Sequence, residues 1–230
     1  NVVRLEKPWG EWFEDGEAED FIARERPDAV AYVQAETSTG VFQDGAAICR
    51  AAHSAGAIVL ADCVTSLGGM PVLVDETGID VAFSCTQKCL SCPPGLAPIT
   101  VSERAMEKLR ARKDQVRSFY LDLRLLDDYY NKSHRFHHTA PISMFYGLHA
   151  ALEAVVAEGL EARFERHRAN HLALVAGLEA LGLKLLVPEP ARRLWTVHTV
   201  LVPAGVDEAA VRRKLLLEHG IEVAGGLGAF

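Results

Sequence analysis

The chain has 230 residues, 49% of them hydrophobic, and a formal net charge of -7. That is enough apolar material for one large core or two smaller ones, and the acidic balance argues against a nucleic-acid binder, which would carry a basic field. No apolar run approaches the roughly 20 residues of a membrane helix, and the opening stretch NVVRLEKPWG lacks the apolar centre of a signal peptide.

In chain order, NVVRLE reads as a strand already under way, with no initiator Met before it. DAVAYVQ (28–34), behind the turn signal Arg26-Pro27, predicts a strand. GAAICRAAHSAG (45–56) has helical spacing and a Gly stop. AIVLADC (57–63) is a near-continuous apolar run, the pattern of a strand buried on both faces. GIDVAFSC (78–85) and GLAPITVS (95–102) predict two further strands, and ERAMEKLRARK (103–113) an amphipathic helix. Strand–helix–strand alternation of this kind predicts an α/β domain with a mostly parallel sheet.

The second half is more helical. Patterns over 143–159 and 160–182 are separated by Gly159, where a domain boundary is expected. WTVHTVLVP (195–203) predicts a strand. DEAAVRRKLLLEHG (207–220) predicts a helix with an Asp cap and a Gly stop, and IEVAGG (221–226) begins another strand. The sequence stops at GGLGAF, just past a Gly-rich turn, so a piece of a longer protein is expected.

Five cysteines, three of them in C-x3-C-x2-C over Cys85–Cys92, do not form a secreted disulfide framework and suit a reducing, cytoplasmic setting. The spacing matches an iron–sulfur motif, but Lys88 lies inside it and Pro93-Pro94 follow at once, so the thiols read as packing. His134, His137 and His138 have no carboxylate or Cys partner at ligand spacing, and no metal is expected. Arg192-Arg193 and Arg212–Lys214 read as solvated charges, and Leu215–Leu217 as core.

Three polar motifs follow three of the predicted strands: ETSTG (36–40), Asp62 leading into CVTSLGG, and Gln87-Lys88. In open α/β sheets ligands bind outside the carboxyl ends of the strands. A carboxylate, an amine and a hydroxyl-rich turn on one rim suit pyridoxal 5'-phosphate. Lys88 can form the Schiff base with its aldehyde. Asp62 can keep its ring nitrogen protonated, so that the ring withdraws electrons. Ser38, Thr39 and Gln87 can hydrogen-bond its oxygens.

ETSTGV, ADCVTSLGG, SCTQKCLSCPPGLAPI, FHHTAPIS and GGLG, in that order, resemble the class V, fold-type-I pyridoxal-phosphate aminotransferases, and within them the alanine–glyoxylate / serine–pyruvate aminotransferases. The likeness runs along essentially the whole chain. It is less to the cysteine desulfurases, whose lysine follows a His. The resemblance implies a partial cofactor-binding large domain over residues 1–159 and a partial α+β small domain over 160–230. It implies that Lys88 holds the cofactor covalently, Asp62 pairs with its ring nitrogen and Val64 packs beneath the ring. Ser38 would bind near the ring oxygen and Gln87 the phosphate. Thr139 would reach the phosphate at the neighbouring subunit, making a homodimer the working unit.

Small amino acids and 2-oxo acids are the implied partners, with amino transfer from alanine or serine to glyoxylate or pyruvate. Where the family often has Tyr before HHT, this chain has Phe136, which removes one phosphate contact. The family's phosphate-cradling turn and a ring that stacks on the cofactor lie upstream of this sequence, and its carboxylate-gripping Arg lies beyond GGLG. The alternatives are another reaction on the same fold, a lyase or phosphonate transaminase, and a non-catalytic fragment.

Overall fold

The computed structural model describes residues 1–228; the last two residues of the expected second domain lie outside the described residues. Helix α1 (Asp15–Glu25) precedes strand β1 (Ala29–Val33), and a short hairpin of β2 (Ala35–Glu36) and β3 (Val41–Phe42) follows. Next come α2 (Ala46–Ser54), β4 (Ile58–Asp62), the four-residue α3 (Val74–Thr77), β5 (Val81–Phe83), β6 (Ile99–Val101) and α4 (Glu103–Ala111). The remainder is α5 (Leu123–Asn131), α6 (Ile142–Glu158), α7 (Leu160–Ala180), a 3-10 turn at Pro190–Arg192 and α8 (Glu208–His219).

The main sheet has the order β1-β4-β5-β6. β1, β4 and β5 are parallel neighbours and β6 joins antiparallel, so the sheet is mostly parallel with flanking helices. The register sets Val33 beside Asp62 and Asp62 beside Phe83, so the three parallel strands end level with one another. The core lies against β4: Val59 and Ala61 are fully buried with Cys49, Ala52, Ala57, Cys63, Ile79 and Ala82. Burying a valine-sized side chain stabilises the fold by about 1.5–3 kcal/mol. β4 alternates, however: Ile58, Leu60 and Asp62 are only half-buried, so one face is sealed and the other partly covered.

Both α1 and α5 go beyond the sequence reading. α1 is rich in charge, yet Ala18 and Ile22 pack on Ile48 of α2. α2 in turn comes close to β1, since a Cβ on Gly45 would lie 1.9 Å from the Tyr32 hydroxyl. Glycine there is a packing requirement. Helix ends follow local chemistry: Ser102 accepts from the Ala105 N–H, Asp207 from the Ala210 N–H, and Gly220 closes α8 at φ +65°.

Three expected strands do not form. Residues 1–6 form no strand and pair with none among the described residues. The ladder contact of residues 195–203 is an isolated bridge, Leu185 to Val200, with Leu186 N–H donating to Thr199 O and Leu201 N–H to Lys184 O. Residues 221–226 have β-like composition and no neighbouring strand among the described residues. A ladder needs two edges, and composition supplies only one of them. The Leu215–Leu217 run also departs from the core role expected of it, for α8 has no buried residue and Leu217 is 75% exposed. Gly159, at φ +83°, ends α6 and begins α7. No helix among the described residues is long and apolar enough to cross a membrane.

Candidate active site

The carboxyl ends of β1, β4 and β5 carry three loops. The first is the turn between β2 and β3, closed by Gly40 N–H to Glu36 O, with Ser38 N–H donating to Glu36 Oε1 at 2.8 Å. The second begins at Asp62, the last residue of β4. Its Oδ1 accepts the Val64 N–H at 2.9 Å, a local turn that fixes the carboxylate at the rim. The third spans Ser84 to Pro98 and closes on itself. Ser84 and Thr86 N–H groups donate to Pro98 O and Leu96 O, Thr86 Oγ1 donates to Pro93 O at 2.7 Å, and Ser91 N–H donates to Lys88 O.

Thr65 joins the three loops. Its hydroxyl meets Thr37 Oγ1 at 2.6 Å, and its carbonyl accepts from Thr196 Oγ1 at 3.1 Å and from the Cys89 thiol at 3.5 Å. Behind it, Ser66 Oγ donates to Gln34 Oε1 at 2.6 Å, and Ser84 Oγ donates to Cys63 O at 3.1 Å. The loops touch closely: a Cβ on Gly69 would meet Thr196 Cγ2 at 2.4 Å and Cys89 Sγ at 2.8 Å. Burial pushes the Cys89 thiol up, and the Arg163 charge opposes it, so this sulfur is a neutral packing group rather than a thiolate. Cys92 is buried and Cys85 half-buried.

Of the residues expected at the site, Asp62, Val64 and Ser38 are half-buried on this rim, and Gln87 and Lys88 are exposed at the head of the third loop. Thr39 is buried, and its hydroxyl accepts from the Val41 N–H at 3.3 Å, inside the hairpin. Thr139 is exposed on the segment between α5 and α6 and makes no hydrogen bond to the three loops among the described residues. That segment is bordered by an aromatic group: Phe119 stacks on His137, and Phe136 is 73% exposed. A cleft of about 360 Å³ lies between residues 7–13, the end of β1 and the first loop, where Glu36 and Thr39 line it; Asp62 and Lys88 do not.

The donor set fits pyridoxal phosphate. Lys88 offers an exposed amine, and Asp62 keeps one carboxylate oxygen without a hydrogen bond among the described residues. Sequence reasoning missed Thr65, Thr37, Thr196 and Arg163, because what matters in them is contact between distant loops. The TST and VTS runs are the only local signals for the first two.

The description Aminotransferase class-V matches residues 11–229. The chain is 39% identical to the (S)-ureidoglycine–glyoxylate transaminase of Bacillus subtilis, over 99% of this chain and 59% of the relative. It is 39% identical to the alanine–glyoxylate aminotransferase of Oryctolagus cuniculus, over 92% of this chain and 55% of the relative. The solved alanine–glyoxylate aminotransferase from Nostoc sp. superposes with a TM-score of 0.92 at 46% identity, over 98% of this chain and 59% of that one. The chain thus spans a little over half the length of the curated relatives it matches.

Proposed function

The chain belongs to the class-V aminotransferase family, and on that premise we propose that the complete protein is a pyridoxal-phosphate transaminase moving an amino group from alanine or serine to glyoxylate or pyruvate. The observation that carries this is Asp62 and Lys88 on adjacent loops at one rim, with Thr65 bonded to both neighbouring loops. The names of the Bacillus, Oryctolagus and Nostoc relatives all include glyoxylate, which supports it as acceptor.

The bound cofactor supplies an electron-withdrawing ring that stabilises negative charge on the α-carbon of the amino acid. The protein's own groups do the rest. The Lys88 amine would hold the cofactor through its aldehyde and, when free, would serve as the general base that takes the proton from the α-carbon of the amino acid and as the acid that gives it back. The free Asp62 oxygen would accept a hydrogen bond from the ring nitrogen, and its charge would favour that nitrogen's protonated form. Val64 would supply an apolar surface beneath the ring. Ser38 would donate to the ring oxygen and Gln87 to the phosphate, with Thr39 as a neighbour that supports the hairpin.

Two subunits would complete the site, with Thr139 of each reaching the other. Support comes from the exposed apolar residues on that flank, including Tyr120, Phe136, Ile142 and Tyr146, each more than half exposed. Such a patch marks an association surface. Gly159 is our proposed boundary between a large cofactor-binding part and a smaller one, in a cytoplasmic enzyme.

The test is borohydride reduction of the complete protein loaded with pyridoxal phosphate, followed by peptide mapping and a transaminase assay. The cofactor is expected on Lys88. A Lys88→Ala variant that still transaminates at the parent rate would overturn the reading.

A further inference from the structure

Arg163, in the first turn of α7, is 8% exposed, an unusual place for a guanidinium. Nothing in the sequence marks it among the arginines of LEARFERHR. Its Nε donates to Gly68 O at 2.7 Å and its Nη2 to Cys89 O at 2.5 Å. Its Nη1 donates to Glu158 Oε2 at 2.8 Å, at the end of α6. Glu158 is held in turn by Arg166 at 2.5 and 3.0 Å. The fork therefore spans three chain segments at once.

Two of the segments are the functional loops. Gly68 lies on the loop that starts at Asp62, and Cys89 is the residue after Lys88. The other direct links between these loops are uncharged: Ser84 Oγ to Cys63 O at 3.1 Å and to Val64 O at 3.5 Å, at the strand-end base of the loops, the thiol bond Cys89 Sγ to Thr65 O, and the close approach over Gly69. A charged donor to a carbonyl is about twice as strong as a neutral one. Only a planar fork can hold both carbonyls and a carboxylate in fixed directions; an ammonium group is a single point.

We propose that Arg163 is a positioning residue: it bridges the Gly68 and Cys89 carbonyls and so sets the separation between Asp62's loop and the peptide that carries Lys88. The inference rests on the functional reading above. The amine must lie over the cofactor while Asp62 meets the ring's far side, so the spacing of the two loops is the spacing of the two reacting ends. A misplacement of about 1 Å in such a pair costs about 100-fold in rate. Glu158 holds the fork from behind, which couples the α6–α7 junction to the site.

The experiment compares the complete protein with Arg163→Met, Arg163→Lys and Glu158→Gln variants. It measures the rate at which borohydride traps pyridoxal phosphate on Lys88, kcat and KM for alanine, and amide hydrogen exchange in residues 84–98 without cofactor. Arg163→Met is expected to slow trapping and kcat by about 10- to 100-fold, with KM changed less than about threefold and exchange faster in the 84–98 loop than in β4. Arg163→Lys, which keeps the charge and one of the two carbonyl bonds, is expected to fall between it and the parent. Glu158→Gln should lose less than either.

Should the Met variant fail to fold, the Lys variant decides: trapping and kcat equal to the parent overturn the inference. A parent that takes the cofactor on Lys88, beside a folded Met variant of equal rate, overturns it while leaving the function standing. A parent that takes no cofactor on Lys88 overturns both.

Discussion

The same four strands carry charged side chains at both ends, in opposite states. At the amino ends, Asp80 is 3% exposed and fully engaged. Its Oδ2 accepts from the Val59 N–H at 2.8 Å and from Arg104 Nη1 at 2.7 Å, and lies 3.0 Å from His53 Nε2; its Oδ1 accepts from Ser102 Oγ at 2.9 Å. Arg104 also donates to Ala57 O and Lys108 to Asp28 O, so α4 ties down the entries to β1, β4 and β5. At the carboxyl ends, the Asp62 carboxylate accepts one hydrogen bond among the described residues and Lys88 stands exposed. Saturated polar groups fix a fold, and polar groups left available are where ligands are recognised.

The largest expected effect is at the saturated end. Asp80→Ala strands a buried N–H on Val59 and leaves Arg104 and His53 without their common partner. The loss should be on the order of 3 kcal/mol, read as a lower denaturant midpoint with an unchanged slope. A loss below about 0.5 kcal/mol would show that α4 does not pin the strand entries.

Asp80 also shows where the sequence could not be read. GIDVAFSC was legible as a strand, and β5 is there, but it starts at Val81, and Asp80 is the anchor in front of it. The apolar run made the strand visible. The four partners of Asp80 come from α2, β4, α4 and the Ser102 cap in front of α4, which no local pattern brings together. The carboxyl end was more legible, because Asp62 closes one strand that periodicity had located, and Gln87 and Lys88 follow another. Thr39 shows the limit there, for its place inside the hairpin depends on how the turn folds. The failed strands at 195–203 and 221–226 have the same cause: composition marks a strand, and pairing makes one.

Acid should separate the two ends. His171 on α7 and His198 stack with Nδ1 and Nε2 2.6 Å apart, beside the segment where Thr199 Oγ1 donates to Ser38 O. Burial lowers both rings; His171 and Arg193 push His198 further, to about 4. Unfolded histidines take up protons near 6.5. Between that value and about 4 the unfolded chain binds more protons than the folded one, so stability falls as pH falls through this window. After discounting for partial exposure, the loss is on the order of 1–2 kcal/mol. Asp80 behaves differently. Burial pushes its carboxyl up, but the bonds from Val59, Ser102, His53 and Arg104 outweigh this and hold it below the ordinary value of 3.8. Its contribution is present above that value and is lost only as pH falls below it. Thermal melts from pH 7 to 3 should therefore show two steps, and His198→Gln should flatten the upper one. A single step near pH 4 would deny the histidine pair any part.

The smallest effect on stability should come with the largest on chemistry, at Asp62. Its structural work is done by Oδ1, which accepts the Val64 N–H. Asn keeps an oxygen in that position, so Asp62→Asn should leave stability within about 0.5 kcal/mol of the parent, as for substitutions that break no buried network. What Asn lacks is the charge. An amide oxygen can accept a hydrogen bond from a protonated ring nitrogen, but it does not raise that nitrogen's proton affinity as a carboxylate does. Transaminase activity of the complete protein should fall about 100-fold, with the cofactor still trapped on Lys88, because the amine and its loop are untouched. An Asn variant that melts with the parent and keeps the parent's rate would remove Asp62 from the chemistry. One that loses activity only by unfolding would make it an anchor like Asp80, and the contrast between the two ends of the sheet would disappear.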